Sequence, residues 1–399
     1  MPILSRVGTG LFLKSAGGGG TAEPGEAVFH ADKTTQTSTW DASTYYTWTV
    51  PAGVTEISVV CIGGGGSGVA QHDGASGCGG GLAYKNNITV VPGSTIDVTV
   101  GGGAKSAGWG NWGKKGDPSM INIDGTVYAK AGGGNAQLGS YGNGGIDNSN
   151  DGIPSGDFDG GGNGGRGTQW GGCRQAGGGC GGYSEAPASY PSDAAGGDSG
   201  NPQYSGAQAG AGNLGGGGGG QSANGSTNYY SSGGGGTGIY GRGANGASGQ
   251  GSSSFNETQA TGKGGSEDPW TNETNGLSVP SYTNTTGLRG YSSNSSWNLF
   301  AWSNSSNEID PSTPNGYRRN IDTQSQGQTR PDGGFPGGGG GGGHSGSPCG
   351  YGGHGCVRIV WGKINSMKRE FPNQGVNMTD KYPGLSANTP TTYGRQMMY

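Results

Sequence analysis

Runs of three or more consecutive glycines recur along this chain, and they constrain its fold more than any other feature does. They lie at 17–20, 63–66, 79–81, 101–103, 132–134, 160–162, 177–179, 215–220, 233–236 and 337–343. Glycine has no side chain to bury and loses more backbone freedom on folding than any other residue. Such runs can therefore be ordered only through backbone hydrogen bonds to one another.

The runs have two structural interpretations, packed polyglycine-II helices and irregular glycine loops. Polyglycine-II helices are extended, left-handed and three-fold, and without Cβ atoms they can pack side by side and hydrogen-bond to each other. Collagen is excluded, because glycine does not recur at every third position and prolines number only 19. The 9 Trp, 18 Tyr and 7 Phe exceed what a flexible Gly/Ser linker needs. We therefore predict an ordered body of polyglycine-II helices.

A β frame accompanies the glycine runs. The most apolar stretch, Ile57 to Ile62, reads as a strand buried on both faces and continues into Gly63 without a turn signal. A strand that leads into a glycine run is therefore the unit of this protein. Further strands are predicted at Thr44–Val50, Leu82–Val91, Thr95–Val100, Ser119–Ile123, Thr126–Ala131 and Cys356–Trp361. Tight turns are predicted at Val91–Ser94 and at Asp124–Gly125.

The predicted fold class is all-β/irregular, a small antiparallel β frame with a glycine-rich body and long loops. The frame spans about 44–131 and ends with a closing strand over 356–361. The predicted organisation in chain order is a lead-in over 1–26, one glycine-rich domain over 27–362 (frame 27–134 and 356–362, polyglycine-II body and loops 135–355), and a C-terminal docking tail over 363–399.

The order of these pieces resembles the glycine-rich domain of tailed-bacteriophage structural proteins, especially the tail-fibre and tail-tip proteins of phages that infect cyanobacteria. The resemblance covers about 44–134 and 337–362. It is carried by a strand before Gly63–Gly66, Gly79–Gly81 before Leu82, Val98-Thr-Val before Gly101–Gly103, and the closing Gly355-Cys-Val-Arg-Ile-Val-Trp-Gly. The middle is also similar to the receptor-binding adhesins that cap long tail fibres of some T-even-type phages. There, layered polyglycine-II helices support variable loops, although those adhesins lack this β frame.

The resemblance implies a non-enzymatic virion structural protein, a tail-fibre or adhesin component that presents variable loops to the host surface. Two alternatives stay open, an architectural capsid or tail decoration protein that binds only virion subunits, and a cell-surface filament subunit. The implied partners are other virion subunits, copies of this chain, and a host surface polysaccharide or outer-membrane protein. The implied location is the virion, assembled in the host cytoplasm.

Net charge and hydropathy argue against nucleic acid and membrane as partners. The net charge of −4 gives no footprint for nucleic acid. No apolar run is long enough to span a membrane, so membrane insertion is not expected. Residues 1–6 lack the layout of a signal peptide.

No catalytic or cofactor-binding constellation is expected. Gly197-Asp-Ser-Gly200 matches the nucleophile motif of trypsin-like proteases, but none of the four histidines stands in the matching context. In a chain so rich in Gly, Ser and Asp, chance is the better explanation. We therefore predict no enzymatic activity and no cofactor.

Six cysteines allow more than one interpretation. Cys173 and Cys180 are seven residues apart, as are Cys349 and Cys356, so that each pair could form a disulfide. Nearby histidines could instead suggest zinc, but the spacing is wrong for the usual zinc ligand pairs. In a reducing cytoplasm, free buried thiols are the expected state.

A weak cation-site candidate consists of Asp147, Ser149 and Asp151, which are followed by Gly152. Acidic and hydroxyl side chains at alternate positions before a glycine fit the first half of a calcium loop. The twelfth position is Phe158, where a bidentate glutamate is required. A solvated turn is the alternative.

Aromatic residues in polar segments are the candidates for contact with a receptor or partner. We place such contact in the long segment between Ser252 and Phe335, on Trp270, Tyr282, Tyr291, Trp297 and Trp302. Other aromatics of this kind are Trp109, Trp112, Trp170, Tyr183, Tyr190, Tyr229 and Tyr230. The alternative is that these rings cover glycine layers, which have no side chains of their own to exclude water.

The tail after the closing strand is the candidate assembly segment. The fold is expected to be complete at Trp361, yet aromatic and basic residues continue at Lys368, Arg369, Phe371, Tyr382, Tyr393 and Tyr399. From Val357 onward, six basic residues outnumber Glu370 and Asp380. We expect this positive tail to dock on a neighbouring subunit, with packing on its own chain as the alternative.

Overall fold

The computed structural model describes the β frame, most glycine runs and the beginning of the tail. The described residues are 25–30, 43–68, 76–105, 113–136, 152, 154–167, 176–184, 195–197, 210–220, 233–239, 241–242, 245–246, 248, 333–334, 336–341, 350–364 and 367–372. Their strands are β1 Gly25–His30, β2 Thr44–Thr49, β3 Glu56–Ile62, β4 Leu82–Thr89, β5 Thr95–Val100, β6 Ser119–Ile123, β7 Thr126–Ala131, β8 Pro154–Ser155, β9 Gly160–Gly162, β10 Cys356–Trp361, β11 Lys363–Ile364 and β12 Met367–Lys368.

Two five-stranded antiparallel sheets pack on each other as a sandwich. The first has the order β1-β10-β3-β4-β9 and the second the order β2-β5-β6-β7-β8, while β11 and β12 form a separate hairpin. The core between the sheets contains Trp48, Ile57, Val59, Cys61, Ile88, Ile96, Val98, Val100, Ile121, Val357 and Ile359. The all-β prediction is confirmed, and every strand predicted in the frame is present.

The first sheet is buried on both faces. The side chains of Val60 and Ile62 point away from the sandwich core and belong to a second cluster with Leu82, Tyr84, Cys180, Tyr183, Val360 and Phe371. The glycine-rich body and the start of the tail thus form a third layer over this sheet. A strand between two apolar layers has no polar face, which explains the uninterrupted apolar run from Ile57 to Ile62.

Both predicted turns have the expected backbone. Gly93 has φ of +83° and the amide of Ser94 donates to the carbonyl of Val91, as in a type II turn. Asp124 and Gly125 have φ of +49° and +85°, which matches the two-residue hairpin turn with both central residues left-handed.

The glycine segment 63–68 has a three-residue period. Amides three positions apart donate to the same neighbouring segment, at 2.8–3.0 Å. The amides of 63 and 66 donate to the carbonyls of 81 and 78. Those of 64 and 67 donate to the carbonyls of 117 and 114, and those of 65 and 68 to the carbonyls of 353 and 350. Carbonyls 64, 65 and 66 accept from three other segments, through amides 134, 104 and 340. A strand has a period of two and at most two neighbours in its sheet, so this segment is a three-fold helix surrounded by six others.

The same spacing of three joins other segments and makes a continuous lattice. Amides 77 and 80 donate to carbonyls 340 and 337, amides 178 and 181 to 77 and 80, amides 217 and 220 to 180 and 177, and amides 234 and 237 to 339 and 336. These pairings have the periodicity of polyglycine-II packing. We call this set of hydrogen-bonded segments the glycine lattice.

The lattice has no room for side chains at its contacts. A Cβ atom on Gly63, Gly64 or Gly65 would overlap the carbonyl oxygen of Gly132, Gly102 or Gly338, respectively. None of these three donor glycines adopts a left-handed conformation, so close approach and not backbone angle is what requires glycine here.

Strands of the sandwich continue directly into lattice helices, all at the same end of the sheets. The junctions are Ile62–Gly63, Gly81–Leu82, Val100–Gly101, Ala131–Gly132 and Gly355–Cys356. The lattice therefore also includes segments from the region assigned to the frame. Two short strands, β8 and β9, lie in the region where no strand was predicted, and β9 is itself a glycine run paired with β4.

A valine at Gly217 tests the lattice. The Gly217 amide donates to the Cys180 carbonyl, and a Cβ atom there would overlap the carbonyl oxygen of Gly235. We expect Gly217→Val to lower the free energy of unfolding by several kcal/mol, or to block soluble expression. The control is Gly125→Ala, where a Cβ atom meets nothing within 4 Å and only the positive φ opposes the change. It should cost about 1–2 kcal/mol, and equal melting of the two variants would contradict close packing.

Candidate functional site

The lattice and the sandwich give the molecule two distinct ends. Helix 63–68 leaves the sandwich from β3, and helix 76–81 returns to it antiparallel, because amides 63 and 66 bond to carbonyls 81 and 78. Residues 68 and 76 are therefore both remote from the sandwich. We call this remote end of the glycine lattice the lattice tip.

Other pairs of helices turn at the same tip. The helix leaving β5 is followed by residues 113–117, which return to β6, and helix 336–341 is followed by 350–355, which return to β10. The hydrogen-bond registers also give the direction of the remaining helices. The chain runs toward the sandwich in residues 176–183, away from it in 217–220, and toward it again in 233–237. The connections that start or end at the lattice tip are consequently 69–75, 106–112, 137–151, 168–175, 221–232 and 342–349.

Several candidate aromatics belong to these connections. Trp109 and Trp112 lie within 106–112, Trp170 within 168–175, and Tyr229 and Tyr230 within 221–232. Their own positions lie outside the described residues. The described helix ends nevertheless bring several aromatic-containing connections to one end of the lattice.

Tyr183 is an aromatic candidate that the structure places in the interior. Its ring is buried in the second cluster, and its hydroxyl donates to the carbonyl of Gly238 at 2.8 Å. Burial raises the pKa of this phenol. For Tyr183, the interpretation that rings cover glycine layers is the correct one.

Most of the other predicted site residues lie outside the described residues. They are the receptor candidates Trp270, Tyr282, Tyr291, Trp297 and Trp302, the cation candidates Asp147, Ser149 and Asp151, and the tail residues Tyr382, Tyr393 and Tyr399. Within the described ranges, no group of His, Cys, Asp and Glu side chains could hold a metal ion. In the same ranges, no helix has the length and hydropathy needed to cross a membrane.

The opposite end of the molecule is where the chain enters β1 and leaves β10. We call it the sandwich base, formed by the turns 51–54, 91–94 and 124–125 together with Gly25 and the residues 363–368. Gly25 pairs with Trp361, and Trp361 pairs with Ile57, at the ends of β10 and β3 remote from the lattice. The chain therefore enters β1 and leaves β10 at the sandwich base.

A buried ion cluster joins β1, β10 and the start of the tail. The Glu26 carboxylate accepts from Arg358 Nη2 at 2.6 Å and from Arg369 Nη2 at 3.0 Å, while a further Arg369 nitrogen donates to the carbonyl of Gly25. All three side chains are at most 9% exposed. Burial alone would raise the pKa of the Glu26 carboxyl, but the two guanidinium groups outweigh burial and hold that pKa below its ordinary value.

Phe371 fixes the start of the tail on the same body. Its main chain exchanges two hydrogen bonds with the Asn86 side chain, at 2.6 and 2.8 Å. Its ring is 3% exposed and stacks on Tyr183 at 6.3 Å between centroids. Lys368 forms an exposed ion pair with Glu56. The fold is thus not complete at Trp361, and Lys368, Arg369 and Phe371 pack on their own chain.

The surroundings of the described cysteines and of His354 indicate structural roles for these residues. Cys61, Cys78, Cys180 and Cys356 are free and buried. Burial raises the pKa of Cys180 and of Cys356 to about 12, so that neither thiol is a nucleophile at neutral pH. His354 Nδ1 accepts a hydrogen bond from the amide of Gly103 at 2.9 Å, inside the lattice. Cys173 and Cys349 lie outside the described residues.

The fold and the lattice define a glycine-rich all-β domain. A family model described as a glycine-rich domain matches residues 37–265, which is more than half of the chain. The chain therefore belongs to this glycine-rich domain family. A search of curated proteins finds no match.

The ion cluster predicts an acid-dependent contribution to stability. The pKa of Glu26 is lower in the folded chain than its ordinary value of 4.5. The stabilisation of the folded chain by the ion cluster is therefore complete above pH 4.5. It is lost as the pH falls through the folded pKa. Glu26→Gln should lower the free energy of unfolding by about 3–5 kcal/mol at neutral pH, because two buried guanidinium groups are then left without a carboxylate partner. Denaturant melts between pH 3 and 7 measure both effects.

The matched control for this variant is Glu56→Gln. Glu56 is 41% exposed and pairs with Lys368 at the surface, so its replacement should cost at most about 1 kcal/mol. Equal losses for the two variants, or an unchanged pH profile in Glu26→Gln, would contradict the assignment of the stabilisation to the buried cluster.

Two truncations test where the fold ends. A chain that stops at Gly362 loses Arg369 and Phe371, and we expect it to lose at least the roughly 3–5 kcal/mol typical of removing a buried aromatic side chain. A chain that stops at residue 372 keeps both contacts and should melt like the full chain. Thermal melting of the two purified chains compares them directly. If the chain ending at Gly362 melts normally, residues 363–372 are not part of the fold.

Proposed function

We propose that this chain is a non-enzymatic structural protein of a bacteriophage virion, a tail-fibre or adhesin component that presents the lattice-tip connections to the host surface. Its location is the virion, and its partners are other virion subunits and a host surface polysaccharide or outer-membrane protein. The sandwich base is the attached end and the lattice tip is the free end.

The observation that carries this proposal is the separation of the two ends. The chain enters β1 and leaves β10 at the sandwich base, whereas connections that contain candidate aromatics start at the lattice tip. A spacer within a fibre would transmit load between ends on opposite poles. A chain that enters and leaves its β frame at one pole suits a terminal position, with its connections free to contact a surface.

The glycine lattice supports this role physically. Each helix in it is fixed by backbone bonds to several neighbours, so the start and end of each connection are held rigidly. Rigid anchors reduce the conformational entropy that the connections lose when they bind. Aromatic rings and uncharged polar groups on such connections are suited to saccharide or protein surfaces.

The test is adsorption of phage particles that carry variant copies of this chain. Trp109→Ala combined with Trp112→Ala should slow adsorption by about tenfold or more, the loss expected when an aromatic hot spot is removed. Melting of the purified chain should stay unchanged. The control is Tyr45→Ala, because Tyr45 is 76% exposed on the flank of the sandwich, away from the lattice tip.

A second arm replaces residues 252–335 with a short Gly/Ser linker. This replacement should abolish adsorption if the receptor candidates act there, while the β frame melts as before. Adsorption unchanged in both arms would overturn the adhesin proposal. It would favour the decoration role if an antibody to this chain then labelled capsids or tail sides.

A further inference from the structure

Basic residues lie at the lattice tip on three of its segments. Lys105 is at the end of the helix that leaves β5, and Lys114 and Lys115 are at the start of the segment that returns to β6. Arg166 is near the end of the segment that follows β9. Lys114 and Arg166 are exposed, whereas Lys105 and Lys115 are half-buried. We call these four residues the basic tip residues.

The main chain of Lys114 is fixed by the neighbouring helix 63–68. The amide of Ser67 donates to the carbonyl of Lys114 at 3.0 Å, and the amide of Lys114 donates to Ser67 Oγ at 2.9 Å. Ser67 is itself fully buried. A charged side chain on a fixed backbone loses less conformational freedom when it binds a ligand than one on a flexible loop.

Arg166 belongs to the same end of the lattice. A Cβ atom on the next residue, Gly167, would overlap the carbonyl oxygen of Ser76, which lies at the tip. The helix that Ser76 begins is hydrogen-bonded to the helix that holds Lys114. The two exposed cations are thus linked through two lattice helices.

Among the described residues of the lattice tip, every charged side chain is basic. The carboxylate nearest to the lysines in sequence, Asp117, lies one helical turn closer to the sandwich, where it accepts from Ser43 Oγ at 3.0 Å and interacts electrostatically with Lys115. The whole chain has a net charge of −4, so the chain without the four basic tip residues is at −8. An anionic ligand is therefore attracted to the tip more than to the rest of the molecule.

The sequence between these cations favours a saccharide among the anionic ligands. Residues 106–112, which follow Lys105, contain Trp109 and Trp112 and no acidic residue. Lysine and arginine bind carboxylate and phosphate groups through charge-assisted hydrogen bonds. Tryptophan offers a large apolar face with a polar edge, which suits a sugar ring.

We propose that the basic tip residues bind a negatively charged polysaccharide of the host surface, one whose sugars carry carboxylate or phosphate groups. Lys114 and Arg166 pair with these groups, while Lys105 and Lys115 add to the positive potential. This inference rests on the proposed adhesin function and narrows its partner to an anionic sugar chain. Because exposed charges make the contact, raised salt weakens it.

Binding of the purified full chain to polygalacturonate, which carries carboxylates, and to a phosphomannan tests the proposal. We expect salt-sensitive binding to at least one of them and none to dextran, which is neutral. Lys114→Gln combined with Arg166→Gln should raise the dissociation constant about tenfold, because two exposed charge pairs are lost. Both side chains are exposed, so this double variant should keep normal melting.

The matched control combines Lys363→Gln with Lys368→Gln, which removes two exposed positive charges at the sandwich base. Its dissociation constant should equal that of the unchanged chain. Equal weakening in the two double variants would overturn the proposal, because the effect would then come from net charge alone. Failure to bind either anionic polysaccharide, equal binding of dextran, or equally tight binding of single-stranded DNA would overturn it as well.

Adsorption of phage particles separates this inference from the proposed function. If Trp109→Ala with Trp112→Ala slows adsorption but Lys114→Gln with Arg166→Gln does not, the adhesin function stands and the anionic ligand is overturned in favour of a protein or a neutral sugar. If the purified chain binds as expected but neither double variant slows adsorption, the anionic site stands and the adhesin function fails.

Discussion

The hydrogen bond between two glycine backbones at a separation that excludes a Cβ atom is the interaction on which this structure depends. One such bond adds only about 0.5–1.5 kcal/mol, while ordering each residue costs about 1–2 kcal/mol. An isolated glycine helix is therefore unstable. In helix 63–68, successive amides bond to three different neighbours and successive carbonyls to three more. Stability arises because each ordered residue serves several helices at once.

The β sandwich solves the problem of starting such a lattice. Ile57–Ile62, Thr95–Val100 and Cys356–Trp361 bury apolar side chains between the sheets, and their adjoining glycines enter the lattice in fixed positions. The conformational cost of aligning the first helices is thus met by side-chain burial in the strands. Helices that do not continue a strand, such as 217–220, then add to a surface that already exists.

The fold could be predicted from the sequence where side chains determine the local structure. The apolar run at Ile57 and the Asp124–Gly125 turn were predictable, because burial and turn geometry select particular residues. The neighbours of each glycine run were not, since one run of glycines is chemically identical to another. Gly160–Gly162 forms a strand, yet no side-chain periodicity marks it. Arg369 and Phe371 were assigned to a tail that docks on a neighbouring subunit, because the cluster with Glu26 joins residues far apart in the sequence.

The same physics explains why a glycine lattice suits the presentation of unequal loops. The lattice is held by hydrogen bonds between its helices, and the bonds described for helix 63–68 all join it to other lattice segments. Lengthening a flexible connection adds only about 0.6 kcal/mol for each doubling. A change at the tip therefore has little effect on the lattice, whereas one Cβ atom inside it displaces a neighbouring carbonyl. Substitutions are thus better tolerated at the lattice tip than inside the lattice.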